Sequence, residues 1–172
     1  MIAAISQDGF LNHKVDEHAS DWTSKEDHSH YSEMLQKYKL QLMGVNTYEA
    51  YKDRIKLSLN HRRIIFTHTP EKYQAVPGKI EFTNESFSAV LAGLEADGFK
   101  HGLLLGGGSI FTQFLQQGLI DEAYITVEPL TFGEGVPFLP ESMSMKDFKY
   151  LELDSSKTLN EQGTILLHYL HV

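Results

Sequence analysis

Three consecutive glycines, Gly106 to Gly108, lie between an apolar run and a helix-like pattern, a combination that can bind phosphate. Leu103 to Leu105 is typical of a buried strand, and apolar residues recur at helical spacing from Ile110 to Leu115. Such a turn offers backbone N–H groups and the positive end of a helix dipole to an anion. No Gly-Lys-Ser/Thr follows, and Phe111 stands where a Rossmann fingerprint requires a glycine, so neither motif fits. The alternative is a tight turn that binds nothing.

A second strand, glycine and helix occur earlier in the chain. Leu40 to Gly44 predicts a buried strand, and Val45 to Tyr51 predicts a short helix. The carboxyl ends of parallel strands meet at one edge of a sheet, and ligands of such sheets bind there. We therefore expect the two glycine-containing turns to lie at the same edge.

Asp27 is an acidic residue on the apolar face of a helix predicted over Thr23 to Tyr38. Tyr31 and Met34 belong to this face and follow Asp27 by four and seven residues. A carboxylate there is costly to bury unless it is paired or functional. It can equally serve the helix N-terminus, where acids stabilise the dipole. Two capping boxes fit the sequence: Ser24 with Asp27, or Thr23 with Glu26.

The rest of the pattern alternates strands with helices, which indicates an α/β fold with a mostly parallel sheet. Further strands are predicted at Met1–Ser6, Arg62–Thr67, Lys79–Phe82, Ala123–Val127, Phe148–Leu153 and Thr164–Val172, and a further helix at Ser86–Asp97. The last two strands are predicted to form an antiparallel pair joined near residues 160–163. Pro129 to Pro140 is predicted as a loop, and Asn12 to Asp21 as a mobile flap or a surface loop.

The composition is that of an ordinary soluble globular chain. A length of 172 residues favours one domain, which we place at residues 1–172. The net charge of -8 argues against nucleic acid or an acidic membrane as a partner. The absence of cysteine excludes disulfides and thiol catalysis. No segment has the length of a membrane span and no signal peptide precedes the first strand, so we expect a cytoplasmic protein.

The nine histidines do not predict a metal site. His28 and His30 form the tightest pair, but residues two apart on a helix point in different directions. We therefore predict no bound metal. Glu128 could bind substrate, but it lies at a strand end beside Pro129, and we interpret it as a solvated side chain.

Several segments together resemble dihydrofolate-reductase-like proteins. The resemblance is carried by Ile2–Gly9, Trp22–Asp27 with Tyr31, Leu42–Glu49, Gly106–Phe111, Gly118–Glu122 and Pro129–Pro140. Their order and spacing cover nearly the whole chain, and the last block is most similar to the RibD C-terminal domain of bacterial riboflavin-biosynthesis reductases. The resemblance implies a three-layer α/β/α fold, with a mostly parallel central sheet and an antiparallel C-terminal strand pair.

The resemblance also implies a nicotinamide cofactor, NADPH with NADH not excluded, lying across the strand ends. Ala4 and Ile5 would lie beside the nicotinamide, and Thr67 and His68 towards the adenosine. The phosphate-binding residues would be Gly44, Val45, Asn46, Thr47, Gly106, Gly107, Gly108, Ser109, Ile110 and Phe111. The family often has a cis peptide between its paired glycines, here Gly106 and Gly107.

By the same resemblance, Asp27 would be the catalytic, substrate-facing carboxylate. Ile5, Tyr31, Thr47 and Thr126 would complete the substrate site. Hydride would pass to a C=N or C=O carbon of a pyrimidine or pterin, while Asp27 holds an amino-pyrimidine edge or assists protonation. Partial burial would raise the pKa of Asp27, which suits an acid working near neutral pH.

The sequence departs from the family pattern at basic positions. Val45 stands where many NADPH-using members have a basic residue, so Arg62, Arg63 or His68 would have to reach the 2′-phosphate. His61, Arg62 and Arg63 occupy the neighbourhood of the arginine that binds the folate carboxylate in folate reductases. The loops near the site are also poor in arginine for a ribose phosphate.

These features together predict an NAD(P)H-dependent oxidoreductase. The most similar activity is that of 5-amino-6-(5-phosphoribosylamino)uracil reductase. Dihydrofolate reductase is the alternative enzyme, and a non-catalytic nucleotide-binding protein on the same fold is the alternative of another class. The resemblance also implies a homodimer, which we expect to form through the C-terminal strands because their edge would otherwise be exposed.

Overall fold

A computed structural model of the chain describes residues 1–14, 17–57 and 61–172. The strands are β1 (Ile2–Ser6), β2 (Phe10–Asn12), β3 (Leu40–Gly44), β4 (Arg62–Phe66), β5 (Ile80–Thr83), β6 (Leu103–Leu104), β7 (Glu122–Glu128), β8 (Val136–Pro137), β9 (Leu151–Thr158) and β10 (Ile165–His171). The α-helices are α1 (Lys25–Lys37), α2 (Val45–Tyr51), α3 (Phe87–Ala96) and α4 (Gly108–Gln116). Strands and helices alternate through most of the chain, as predicted.

Strands β5, β4, β3 and β6 form a parallel sheet in that order. All five residues of β3 are buried, as expected for a parallel strand covered on both faces. On one face, Leu42 and Ile64 pack with residues of α3 and α4 in the main core. On the other face, Met43 and Ile65 pack with residues of α2. Helices therefore cover both faces, which confirms the predicted three-layer fold.

Strands β1, β7, β10 and β9 form a second sheet in that order. β1 runs parallel to β7, whereas β10 is antiparallel to both β7 and β9, which confirms the antiparallel C-terminal pair. The predicted bounds of β9 are wrong, because this strand begins at Leu151 rather than Phe148 and extends to Thr158. Every residue of β9 after Leu151 is exposed, so this edge strand lacks the apolar alternation that predicts a strand.

Strands β2 and β8 form a short antiparallel pair that the sequence did not predict. Phe10 lies opposite Pro137, inside the segment that was predicted as a loop. The Asp8 carboxylate accepts hydrogen bonds from the backbone N–H groups of Phe132 and Gly133. These bonds hold the loop between β7 and β8 to the end of β1. In the segment predicted as a flap or surface loop, residues 15 and 16 lie outside the described residues.

The N-termini of the described α-helices are of two kinds. α1 and α3 begin after Ser24 and Ser86, whose hydroxyl oxygens accept a backbone N–H from the first turn. α2 and α4 begin after Gly44 and Gly107, and no side chain of the described residues caps either one. The first-turn N–H groups of α2 and α4 are therefore available to an anion. Among the described helices, none is both long and apolar enough to cross a membrane.

Candidate functional site

One cleft of about 1400 Å³ brings the two glycine-containing turns together with Asp27. We call the part lined by Gly44–Thr47 and Gly107–Phe111 the glycine end, and the part lined by Asp27, Tyr31 and Arg63 the carboxylate end. Pockets for a single drug-sized ligand measure about 300–1,000 Å³. This cleft is larger, so it can hold two molecules side by side.

At the glycine end, the starts of α2 and α4 lie side by side. The backbone N–H of Gly44 donates to the carbonyl of Gly106 over 2.7 Å. A Cβ on Gly44 would lie 2.7 Å from Cγ1 of Ile110, which is too close for a real contact. The glycine therefore permits the close approach of the two helix starts. The peptide between Gly106 and Gly107 is cis, as the family resemblance implied.

The glycines at the start of α4 serve different purposes. A Cβ on Gly108 would lie 2.5 Å from the carbonyl oxygen of Pro137, so Gly108 is required by the packing of α4 against β8. A Cβ on Gly107 would meet only the hydroxyl oxygen of Thr47, at 3.2 Å. Both Gly107 and Thr47 line the cleft. Gly107 therefore keeps space open at the cleft wall, whereas Gly108 holds the wall to the rest of the fold.

The rest of the glycine end is weakly charged. Thr67 is buried and His68 is exposed, and both line the cleft beyond the end of β4. Glu85 lines the same end. No lysine or arginine of the described residues lies among these lining groups. An anion bound there would therefore be held mainly by backbone N–H groups and hydroxyls.

Asp27 reaches the cleft from the first turn of α1, and only 6% of its surface is exposed. Its backbone N–H donates to Oγ of Ser24 over 3.3 Å, so Ser24 is the N-cap. Its carboxylate does not complete a capping box, because the backbone N–H of Ser24 donates instead to Oε1 of Glu128, over 2.7 Å. The Asp27 carboxyl group is therefore not used for capping and remains available to the cleft.

The surroundings of Asp27 favour its protonated form. Burial raises the pKa of the Asp27 carboxyl, and the negative charge of Glu128 raises it further. The hydroxyls of Thr126 and Thr23 and the charge of His28 act in the opposite direction. Within the described residues, neither threonine hydroxyl makes a well-formed hydrogen bond. Burial, the largest influence on the Asp27 pKa, outweighs them. The pKa is raised, as the sequence predicted.

Arg63 is a buried cation at the carboxylate end, with 6% of its surface exposed. Its Nη2 donates to the carbonyl of Lys56 over a long 3.4 Å, and its Nη1 has no partner among the described residues. Burial lowers the pKa of Arg63, while the nearby Tyr31 opposes that shift. A buried guanidinium without a counter-ion is costly, so this end of the cleft is suited to an anionic group.

Arg62 points away from the cleft, on the other side of β4. Its guanidinium donates to both carboxylate oxygens of Glu81, over 2.7 and 3.0 Å, and also pairs with Asp97. Arg62 does not line the cleft, which argues against the hypothesis that it reaches a cofactor 2′-phosphate. Arg63 lines the cleft beside Tyr31, and its contact with a 2′-phosphate stays a prediction. His68 remains as the basic side chain at the glycine end.

Most of the site residues predicted from the sequence line this one cleft. They are Ala4, Asp27, Tyr31, Gly44, Val45, Asn46, Thr47, Thr67, His68, Gly107, Gly108, Ser109, Ile110 and Phe111. Ile5, Gly106 and Thr126 do not line it. Ile5 packs against the main core, Gly106 is bonded to β3, and Thr126 is fully buried near Asp27.

Glu128 is buried, so its interpretation as a solvated side chain is wrong. Only 3% of its surface is exposed. Its Oε2 accepts the hydroxyl of Thr164 over 2.6 Å, and its Oε1 accepts the backbone N–H of Ser24. These partners lie 36 and 104 residues away along the chain, and no local pattern in the sequence indicates such contacts.

A family profile for the RibD C-terminal domain matches residues 1–165 of the chain. The chain belongs to the RibD C-terminal domain family. The chain is 27% identical to the protein YwjB of Bacillus subtilis (strain 168) over 172 residues, and the alignment covers 97% of this chain and 94% of YwjB. The RibD C-terminal domain therefore accounts for nearly all of the sequence.

Solved structures share the fold of this RibD C-terminal domain protein. The dihydrofolate reductase of Enterococcus faecalis, complexed with NADP(H), superposes with a TM-score of 0.71 at 22% identity, covering 99% of this chain and 94% of that one. The diaminohydroxyphosphoribosylaminopyrimidine deaminase/5-amino-6-(5-phosphoribosylamino)uracil reductase of Thermotoga maritima superposes with a TM-score of 0.72 at 18% identity, covering 99% of this chain and 55% of that one. At these identities the likeness establishes the dihydrofolate-reductase-like fold.

Proposed function

We propose that this RibD C-terminal domain protein is an NAD(P)H-dependent reductase of a small heterocycle. The observation that carries the proposal is one cleft that joins two uncapped, glycine-started helices to a buried carboxyl group. Helix starts of this kind suit the phosphates of a dinucleotide, and a buried carboxyl suits proton transfer. The complex of the similar Enterococcus faecalis enzyme with NADP(H) supports the choice of cofactor.

The glycine end would hold the cofactor. Gly44–Thr47 and Gly107–Phe111 would bind its phosphates through first-turn N–H groups and the Thr47 hydroxyl, and Ala4 would lie beside the nicotinamide. Thr67 and His68 would lie beside the adenosine. When bound, the nicotinamide supplies a hydride to an electrophilic carbon of the substrate. NADPH is the proposed cofactor. NADH is the alternative, because His68 is the basic side chain at this end that could bind the 2′-phosphate of NADPH.

Asp27 would supply the proton that completes the reduction. Its raised pKa keeps more of the carboxyl protonated than in an ordinary aspartate, and a protonated carboxyl can donate to the atom that gains negative charge. The ionised form could accept two hydrogen bonds from an amino-pyrimidine edge. Tyr31 lies one turn further along α1 and would form the wall of the substrate pocket.

The substrate that fits best is a pyrimidine or pterin with an acidic group. Asp27 would face the ring, while Arg63 would pair with a phosphate or carboxylate elsewhere on the same molecule. The Thermotoga maritima protein is named for a phosphoribosylaminouracil, which has both features. We therefore propose a substrate of this type, with dihydrofolate as the alternative because the Enterococcus faecalis enzyme shares the fold.

A nucleotide-binding protein without catalysis is the alternative from another class. The glycine end alone would serve such a protein. The buried Asp27 carboxyl, and the Arg63 guanidinium whose Nη1 has no partner among the described residues, would then destabilise the fold without a use, since neither is needed to bind a nucleotide at the glycine end. This cost in stability favours the reductase over a non-catalytic nucleotide-binding protein.

We propose a single domain over residues 1–172, a cytoplasmic location and a homodimer. β9 is an edge strand of its sheet, and Leu153 on it is 51% exposed. Pairing of two such edges would cover this surface.

Titration with NADPH and NADH, followed by protein and nicotinamide fluorescence, tests the proposed function. We expect at least one of them to bind with a dissociation constant below about 1 mM, the weak limit for a cofactor. Loss of nicotinamide absorbance with dihydrofolate or with an aminouracil ribose phosphate then identifies the substrate. If neither nicotinamide binds, the reductase proposal fails. If one binds but no heterocycle is reduced, the nucleotide-binding alternative is correct.

A further inference from the structure

Strand β7 and helix α1 contact each other in a regular register. Residues on one face of β7 meet residues one turn apart on α1, and the order is reversed because the two elements run in opposite directions. The ring of Tyr124 lies 5.2 Å from that of His30, Thr126 adjoins Asp27, and Glu128 binds the backbone of Ser24. Asp27 therefore occupies the middle position of this contact, and Glu128 fixes the end nearest the helix start.

Glu128 accepts the backbone N–H that Asp27 would accept in a capping box. In a capping box, the side chain three residues after the N-cap accepts the backbone N–H of the N-cap residue. That side chain is Asp27 here, but Glu128 accepts the N–H of Ser24 from another strand. Without Glu128, the Asp27 carboxylate would be drawn back to the N–H of Ser24 and away from the cleft.

Glu128 is itself held on its other side. Thr164 donates its hydroxyl to Oε2 of Glu128, and Nδ2 of Asn160 donates to the Thr164 hydroxyl oxygen over 3.0 Å. Asn160 also donates to Glu26 in the first turn of α1, over 3.0 Å. The turn before β10 and the start of α1 are therefore tied to the same buried carboxylate.

We propose that Glu128 is a positioning residue for Asp27: it replaces Asp27 in capping α1 and places a fixed negative charge beside the Asp27 carboxyl group. The effect of Glu128 on catalysis rests on the proposed function, whereas its effect on the Asp27 carboxyl group does not. Glu128 neither lines the cleft nor touches the substrate site, so it acts through Asp27.

The charge of Glu128 acts on Asp27 together with a small set of other groups. From α1 itself, His28, His30 and Tyr31 interact with Asp27, and His28 opposes Glu128. From β7, Glu128 is the charged group that raises the pKa of Asp27. The neutral hydroxyls of Thr126 and Thr23 complete the surroundings. Removal of the Glu128 charge should therefore lower the pKa of Asp27.

The decisive variant is Glu128→Gln, which keeps the shape and an oxygen acceptor for the N–H of Ser24. The titration of the Asp27 carboxyl is followed by carbon NMR in the ligand-free protein. We expect its midpoint to move to lower pH than in the parent. The matched control is Glu122→Gln, the same change at the other end of β7, where the side chain interacts with Tyr124 and His168. This control should leave the Asp27 midpoint unchanged.

In the working enzyme the same shift has a kinetic signature. An acid must be protonated to act, so activity falls as the pH rises through its pKa. We expect the falling limb of kcat/KM to move to lower pH in Glu128→Gln, with a loss at neutral pH of about tenfold, less than the 10²–10⁴-fold contribution of a general acid. An Asp27 midpoint that stays in place or rises overturns the inference. If the NMR midpoint falls but no nicotinamide binds, the inference stands and the proposed function fails.

A second measurement covers the case in which Glu128→Gln does not fold. Thr164→Val removes only the hydroxyl that holds Glu128. Hydrogen exchange of the Ser24 amide should then become roughly tenfold faster or more, since its hydrogen bond to a charged acceptor is weakened. The Ser86 amide, at the start of α3, is the internal reference. Unchanged protection of the Ser24 amide in this variant overturns the inference.

Discussion

The glycine end and the carboxylate end of the cleft are built from different chemical groups. At the glycine end, helices α2 and α4 begin without side-chain caps, and the lining contains no lysine or arginine among the described residues. At the carboxylate end, Asp27 and Arg63 are both buried ionisable side chains. One end therefore offers backbone donors at little cost in stability, whereas the other maintains two buried ionisable groups.

This difference separates binding from chemistry in the proposed enzyme. Backbone N–H groups can hold phosphates whatever the neighbouring side chains are, provided that glycine lets the chains approach. Proton transfer and selection of a substrate require particular side chains with particular pKa values. Changes at the two ends should therefore have separable effects on cofactor affinity and on turnover.

The largest expected effect is on turnover in Asp27→Asn. Loss of the acid should lower kcat by about 10²–10⁴-fold, the usual contribution of general acid–base catalysis. The dissociation constant for NADPH should stay within a factor of about two, because Asp27 lies at the other end of the cleft. Steady-state kinetics and fluorescence titration measure the two quantities. A large loss of cofactor affinity would show that the two ends are not independent.

Arg63→Met should make the protein more stable and less able to bind anions. The change replaces a buried, incompletely paired guanidinium with an apolar chain, so we expect a gain of about 1–3 kcal/mol in the free energy of unfolding. We expect inorganic phosphate to raise the melting temperature of the parent. This rise should be smaller in Arg63→Met, because only the glycine end is then left to bind phosphate. Arg62→Met is the control, because Arg62 has carboxylate partners outside the cleft. That variant should lose stability and keep its response to phosphate.

Gly107→Ala should weaken cofactor binding without unfolding the protein. The added Cβ would approach the Thr47 hydroxyl to 3.2 Å at the cleft wall. We expect a dissociation constant for NADPH about tenfold higher, which corresponds to about 1.4 kcal/mol. Gly108→Ala is the contrast, because its Cβ would lie 2.5 Å from a backbone oxygen of Pro137. If Gly107→Ala unfolds while its folded fraction keeps full affinity, Gly107 serves only a tight turn.

The smallest expected effect is on the pH dependence of the free energy of unfolding. Burial raises the pKa of Asp27 in the folded state, so ionisation of Asp27 disfavours folding. The folded parent retains the benefit of a protonated Asp27 below the ordinary aspartate pKa, and loses it as the pH rises through the raised value. Asp27→Asn should therefore match the parent at low pH and be the more stable protein at neutral pH. Denaturant unfolding across this pH range would contradict the prediction if the parent gained stability relative to the variant.

The sequence predicted the glycine end better than the carboxylate end. Gly44 and Gly106–Gly108 follow apolar strands and precede helical patterns, so local sequence was enough to locate both helix starts. Asp27 was also found, since its face of α1 follows from helical spacing. The roles of these residues in binding and catalysis stay predictions.

Long-range contacts account for what the sequence did not predict. Glu128 is buried by Thr164 and the backbone of Ser24, neither of which is a neighbour in sequence. The different surroundings of Arg62 and Arg63 depend on what covers each face of β4. β9 is an edge strand with polar, exposed residues, so it lacks the pattern from which strands are recognised.

The two adjacent arginines of β4 also protect the alignment of this strand with its neighbours. A slip of one residue would turn every side chain of β4 to the opposite face. Arg62 would then lose Glu81 and Asp97, while Arg63 would turn towards the main core that Ile64 now occupies. Because the misaligned strand would lose both ion pairs and bury a guanidinium among apolar side chains, Arg62 and Arg63 help to ensure that the sheet assembles in a single register.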